Sequence, residues 1–198
     1  MEYKRLLITG FDPFGGERLN SSWEAVCRLP EEIAHYRLTK LRIPVIFGSA
    51  ADAVLCAAHT LKPDVILCIG QAGGRTAVTP EVIGINLRES RIADNAGSQP
   101  VNEPVLESGP DAYFSTVPVR EMVKEIEKNG IPASLSLSAG AFVCNDLLYT
   151  LLHHYQNTQT LTGFIHVPFI CEQEKENCFC LPLADVVTAL TAAIHALP

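Results

Sequence analysis

Cys144 stands where small and β-forming residues, Ser134 to Ser138 and then Gly140, give way to an apolar pattern of Leu147, Leu148, Leu151 and Leu152 that suits a helix. A thiol at a helix start meets unpaired backbone N–H groups and the positive end of the helix dipole, both of which stabilise a thiolate. Such a cysteine can serve as a nucleophile when a base takes or shares its proton and a third group orients that base. Of the six histidines, His35, His59 and His195 sit in surface-like or helical contexts. His153 and His154 lie two to three turns beyond Cys144 on the same expected helix, so they point away from its start. His166 remains, near the end of an apolar strand and just before Pro168. For the orienting carboxylate, Glu81 and Asp94 both lie in one irregular stretch, and spacing alone does not separate them.

The competing use of cysteine is as a small apolar filler. Cys27, Cys56 and Cys68 fall inside apolar runs and read as core. Seven cysteines is an odd number, and Asp12 cuts off the apolar run that follows Lys4 and Arg5 well short of an export signal. Thiols in a reducing cytoplasm are therefore expected. Cys178 and Cys180 form a C-x-C, which lacks the second pair a zinc site wants.

These groups need a scaffold, and the chain alternates strand-like with helix-like segments. Strands are expected at Arg5–Thr9, Arg37–Ile43, Asp64–Ile69, 133–138 and Gly163–Val167. Helices are expected at Ser22–Arg28, after an N-cap at Ser49, at Val119–Lys128 behind Pro118, after Cys144, and near Leu183–Ala196. Between Gln71 and Tyr113 the chain is rich in Gly, Pro and Asn, with VIGINL as a possible strand; long irregular connections of this kind are often functional. Alternation of this kind implies an α/β sandwich with a mainly parallel sheet, in one domain spanning residues 1–198. Ligands of such folds collect at the carboxyl ends of the strands. That rule selects the loop with Phe11, Phe14, Gly15 and Gly16, the loop with Gln71, Gly73, Gly74 and Arg75, and the positions of Cys144 and His166. Phe11, Phe14 and Phe142 could wall a small apolar slot there.

The net charge of −7 argues against a nucleic-acid partner, and no apolar run approaches the roughly 18 residues that would span a bilayer. Gly10 to Gly15 has the opening spacing of a phosphate loop, but Gly16 and Glu17 stand where a lysine and a hydroxyl residue are required.

TGFDPFGG with Asn20, GQAGGR, PEVIGINLRESRIADNAG, SLSAGAFVCN and GFIHVPF occur in this order from Thr9 to Phe169. As a set they resemble the pyroglutamyl-peptidase I (pyrrolidone-carboxylate peptidase) family of cysteine peptidases. The resemblance implies a three-layer α/β/α sandwich around a mainly parallel, mixed twisted sheet. It places the nucleophile at Cys144, the histidine at His166 and the carboxylate at Glu81 rather than Asp94. The implied reaction removes an N-terminal pyroglutamyl residue from peptides without metal or organic cofactor, in a cytoplasmic enzyme that is often a homotetramer. Pyroglutamate is a neutral lactam, so an aromatic slot with a few amide hydrogen bonds suffices. Phe11, Phe14, Phe142 and Val143 would wall the ring, Gln71 or nearby backbone would hold the lactam, and Arg91 would assist the backbone N–H groups at the oxyanion. Where the family pattern commonly has proline, this chain has Ser21, Ala93 and Cys171, the last a possible second reactive thiol. Two rivals make different demands. A phosphate-dependent transferase such as a nucleoside phosphorylase would require phosphate and tolerate loss of Cys144, and a silent binding module would keep the slot without turnover.

Overall fold

The computed structural model describes residues 3–198. In chain order the first half contains β1 (Lys4–Phe11), α1 (Ser21–Arg28), β2 (Glu32–Ile33), β3 (Tyr36–Ile43), α2 (Ser49–Leu61), β4 (Val65–Gln71), β5 (Thr79–Pro80) and β6 (Ile83–Ile85). Then come β7 (Ala112–Phe114), α3 (Val119–Lys128), α4 (Val143–Tyr155), β8 (Leu161–Val167), β9 (Phe169–Ile170), a 3₁₀ turn (Cys171–Gln173), β10 (Cys180–Leu181) and α5 (Leu183–His195). One sheet runs β2-β3-β1-β4-β8-β5, parallel from β3 to β8 and antiparallel at both edges.

Alternation of side chains splits the core in two. Leu6, Ile8, Leu67, Ile69, Ile165 and Val167 face α1, α3 and α5. Leu7, Ile66, Cys68 and Phe164 face α2 and α4. With both faces covered, the central strands are continuous apolar runs rather than alternating ones, and β4 is buried from Val65 to Gly70. The result is the expected three-layer α/β/α sandwich with a mainly parallel, mixed sheet.

Several local expectations change. Residues 133–138 form no ladder; they touch the sheet edge only through single bridges, Ala133 to Val78 and Ser136 to Glu81. Ser134 and Ser136 donate to Val78 O and Pro80 O, but Pro80 has no N–H to return to Ser134 O, so the pairing breaks between the two bridges. Gly48, not Ser49, caps α2, while Asn20 caps α1 through its side chain. Cys27 and Cys56 are exposed on outer helix faces; of the three expected core thiols only Cys68 is buried. Cys171 and Cys180, expected as thiols, are joined in a disulfide, because parallel pairing of β9 with β10 brings their Cα atoms to 5.1 Å. No helix among the described residues is long and apolar enough to cross a membrane.

Candidate active site

Strand parity brings the groups together. Cys68 and Gly70 of β4 lie on the α2/α4 face of the sheet, as do Phe164 and His166 of β8, and Gly70 pairs directly with His166. Gly140, at φ 78°, turns the chain into α4, whose second residue is Cys144. A Cβ placed on Gly70 would lie 3.1 Å from Cys144 Sγ and 2.6 Å from Phe164 Cζ. The thiol therefore packs on the strand pair that carries His166, and only glycine leaves room for it. Gly70→Ala is expected to lower stability by about 1–3 kcal/mol through overpacking and to depress any thiol chemistry by displacing Cys144. Thermal unfolding and a rate assay check this, and an alanine variant equal to the parent in both would show that the site has slack.

The first turn of α4 is tied down on two sides. Asn145 mimics a strand edge, accepting from Ile85 N at 2.9 Å and donating to Ile85 O and Leu87 O at 2.8 and 3.0 Å. The buried Asp146 carboxylate accepts from Gly48 N at 2.8 Å and from Arg88 Nε at 2.6 Å. Removing one partner of such a buried pair typically costs ~3–5 kcal/mol, so the position of Cys144 is strongly determined. The helix has no side-chain cap at its N-terminus, which leaves first-turn N–H groups free beside the thiol.

Glu81 follows β5 and is fully buried; its N–H donates to Phe164 O at 2.9 Å. Its Oε1 lies 2.7 Å from His166 Nδ1. A carboxylate accepts, so Nδ1 carries the proton and Nε2 is left as the free basic nitrogen, a tautomer assigned from the network. The same Oε1 accepts from Arg75 Nη1 at 2.6 Å. Arg75 also donates to the Thr79 hydroxyl, and its Nη2 reaches Ser138 O at 3.1 Å. Asp94, the alternative carboxylate, is elsewhere: it is buried under the N–H groups of Phe47, Ala96 and Ser98 at 2.8 to 3.0 Å and shapes its own loop.

Burial works against ionisation throughout. It pushes the Cys144 thiol up to about 12, with the Glu81 carboxylate adding to the shift and Arg75 and the Cys144 N–H opposing it. The thiolate expected from the helix start alone is thus outweighed by desolvation, although Cys144 keeps partial access to solvent. Burial also lowers His166, against the hydrogen bond and charge of Glu81. Burial would raise Glu81, but His166, Ser136 and Arg75 outweigh it and hold the carboxyl below its ordinary range. The resting constellation is a neutral thiol, a neutral imidazole and an ionised carboxylate.

Beside the thiol is a small cavity of ≈ 40 Å³ lined by Phe11, Phe14, Asn20, Val45, Gln71, Phe142 and Cys144. Gln71 Oε1 accepts from Ser21 N and from Gln173 Nε2, both at 2.9 Å, so its amide is oriented with Nε2 left as the donor. Two expected residues are not on this cavity. Val143 is fully buried in the core under α4, and Arg91 is exposed at a separate depression bounded by Glu89, Ile92 and Gly140 to Phe142. Arg75 was given no role by the sequence; the signal was there, since a buried carboxylate beside a neutral histidine needs a cation. Among the described residues no group of three His, Cys, Asp or Glu is placed to hold a metal ion.

Many known proteins are similar to this chain in sequence and fold. The pyroglutamyl peptidase family model matches residues 4–198. The pyrrolidone-carboxylate peptidase of Levilactobacillus brevis is 49% identical over 197 residues, covering 98% of this chain and 97% of its own. That of Enterococcus faecalis is 49% identical over 197 residues, covering 97% and 92%. The crystal structure of pyroglutamyl peptidase I from Bacillus amyloliquefaciens superposes with a TM-score of 0.93 at 43% identity, covering 99% of this chain and 97% of that one. With a family model spanning nearly the whole sequence, and relatives this similar over nearly their full length, the chain belongs to the pyroglutamyl peptidase family.

Proposed function

We propose that this chain, as one catalytic domain, hydrolyses the bond after an N-terminal pyroglutamyl residue, with Cys144 as nucleophile, His166 as acid–base and Glu81 as its orienting partner. The observation that supports this most directly is the chain of contacts from Glu81 Oε1 to His166 Nδ1, 2.7 Å, on the strand pair against which Cys144 Sγ packs. His166 Nε2 takes the thiol proton as sulfur attacks the pyroglutamyl carbonyl, then delivers it to the leaving amine. Water, activated by the same nitrogen, hydrolyses the thioester. First-turn N–H groups of α4, including that of Cys144, would receive the oxyanion. The exposed position of Arg91 gives it no support in that role.

The slot suits a neutral lactam. Phe11, Phe14 and Phe142 supply apolar walls, and the oriented Gln71 Nε2 offers a donor to the lactam carbonyl. At ≈ 40 Å³ the cavity has room for little more than one water. Ring entry therefore moves Phe14 and Phe142, which are only partly buried and meet at 6.3 Å between centroids. We place the enzyme in the cytoplasm, where a reducing environment keeps the free Cys144 as a thiol, and as a homotetramer, for which exposed Phe114 and Leu137 offer apolar contact surface. Release of aminomethylcoumarin from its pyroglutamyl amide, in chelator and without phosphate, tests the function. No release under those conditions would overturn it, and dependence on phosphate would favour the transferase.

A further inference from the structure

Arg75 is the one cation on the Glu81–His166 pair among the described residues. Its Nη1 and His166 Nδ1 converge on a single oxygen, Glu81 Oε1, at 2.6 and 2.7 Å. Its other arm, Nη2, holds Ser138 O at 3.1 Å, six residues before the nucleophile on the segment that turns at Gly140 into α4. One guanidinium thus links the carboxylate to the backbone that delivers Cys144. Glu81 itself is fully buried, and its Oε2 has no hydrogen-bond partner. A lone carboxylate so placed next to a neutral imidazole would pick up a proton, and a protonated Glu81 would no longer fix the His166 tautomer.

We propose that Arg75 is a positioning residue of the hydrolysis: its charge keeps Glu81 ionised, and its fork fixes the carboxylate against His166 and the Ser138 segment. This rests on the function proposed above. The ionisable groups facing Glu81 are Arg75 from the loop after β4, His166 from β8 and Cys144 from α4; β5 and the 136–138 segment contribute only the hydroxyls of Thr79 and Ser136. Arg75 lowers the affinity of both Glu81 and His166 for protons. Its loss raises the affinity of the coupled Glu81–His166 pair for its first proton, so the acidic limb of kcat/KM moves to higher pH. A residue with only a structural role would lower the rate at every pH and leave the limb in place.

The experiment compares R75M, R75Q and R75K with the parent, measuring kcat, KM and the pH profile on pyroglutamyl-aminomethylcoumarin. R75M and R75Q are expected to lose kcat by about tenfold or more with KM nearly unchanged, and to move the acidic limb up by about one pH unit. R75K keeps the charge and loses the fork, so its limb stays with the parent while kcat falls several-fold. A folded R75M or R75Q whose limb matches the parent overturns the proposal. If neither folds, an R75K limb displaced from that of the parent does so. Alkylation of Cys144 by iodoacetamide, read on its own peptide by mass spectrometry, needs no pyroglutamyl substrate. It is expected to slow in R75M and R75Q near neutral pH, so absence of turnover in the parent would count against the function, and unchanged alkylation in these variants against Arg75.

Discussion

Cys144→Ala and Cys144→Ser are both expected to lose turnover of a pyroglutamyl amide by roughly 10⁴-fold or more. Alanine leaves no nucleophile. Serine keeps the geometry, but an alkoxide is far harder to form beside a carboxylate and inside a dense site than a thiolate is. Neither change should unfold the chain, since the side chain is small and α4 is held independently through Asn145 and Asp146. Near-parental turnover in either variant would remove the mechanism. The same residue carries a pH signature. With burial pushing the thiol up to about 12, the thiolate fraction at lower pH rises about tenfold per unit. Alkylation of Cys144 should therefore keep climbing from about pH 7 to 10. A plateau near neutrality would mean that a preformed thiolate, favoured by the helix start, wins over desolvation.

That contest shows where the sequence is legible. The strand-to-helix junction at Cys144, the apolar runs of β1, β4 and β8, and the amphipathic face of α3 are local patterns, and each fixes its element. Layering follows, because alternating strands and helices have few ways to bury their apolar faces. The convergence of Phe11, Phe14, Gln71, Phe142, Cys144 and His166 follows from the strand-end rule. Desolvation does not, because it depends on what surrounds the sulfur in three dimensions. Arg75 was hidden for the same reason: its partner Glu81 is six residues away in a loop whose path no periodicity sets. Cys171 and Cys180 meet only because two short strands pair, a non-local event, and the segment 133–138 has a strand-like composition whose pairing is interrupted by Pro80 on the facing strand, also a non-local effect. Choosing Glu81 over Asp94 required family resemblance. The geometry places only Glu81 on His166 and gives the Asp94 carboxylate three backbone N–H groups of its own.

His166→Ala should cost about as much as loss of Cys144, roughly 10⁴-fold, because both proton transfers pass through Nε2. Glu81→Gln should cost less, on the order of 10²- to 10³-fold, since an amide oxygen can still accept the Nδ1 proton and the imidazole remains present. What the amide cannot do is carry charge. As His166 takes the thiol proton it becomes an imidazolium, and only a carboxylate 2.7 Å away stabilises that cation. The sign of the accompanying pH shift follows. Glu81 raises the proton affinity of His166, so its neutralisation lowers that affinity further and the acidic limb of kcat/KM moves to lower pH. Loss of Arg75 moves the same limb the opposite way. The two variants therefore separate a carboxylate that orients and stabilises His166 from one that exchanges protons itself. A Glu81→Gln penalty equal to that of His166→Ala, with the limb unmoved, would assign Glu81 a direct part in proton transfer.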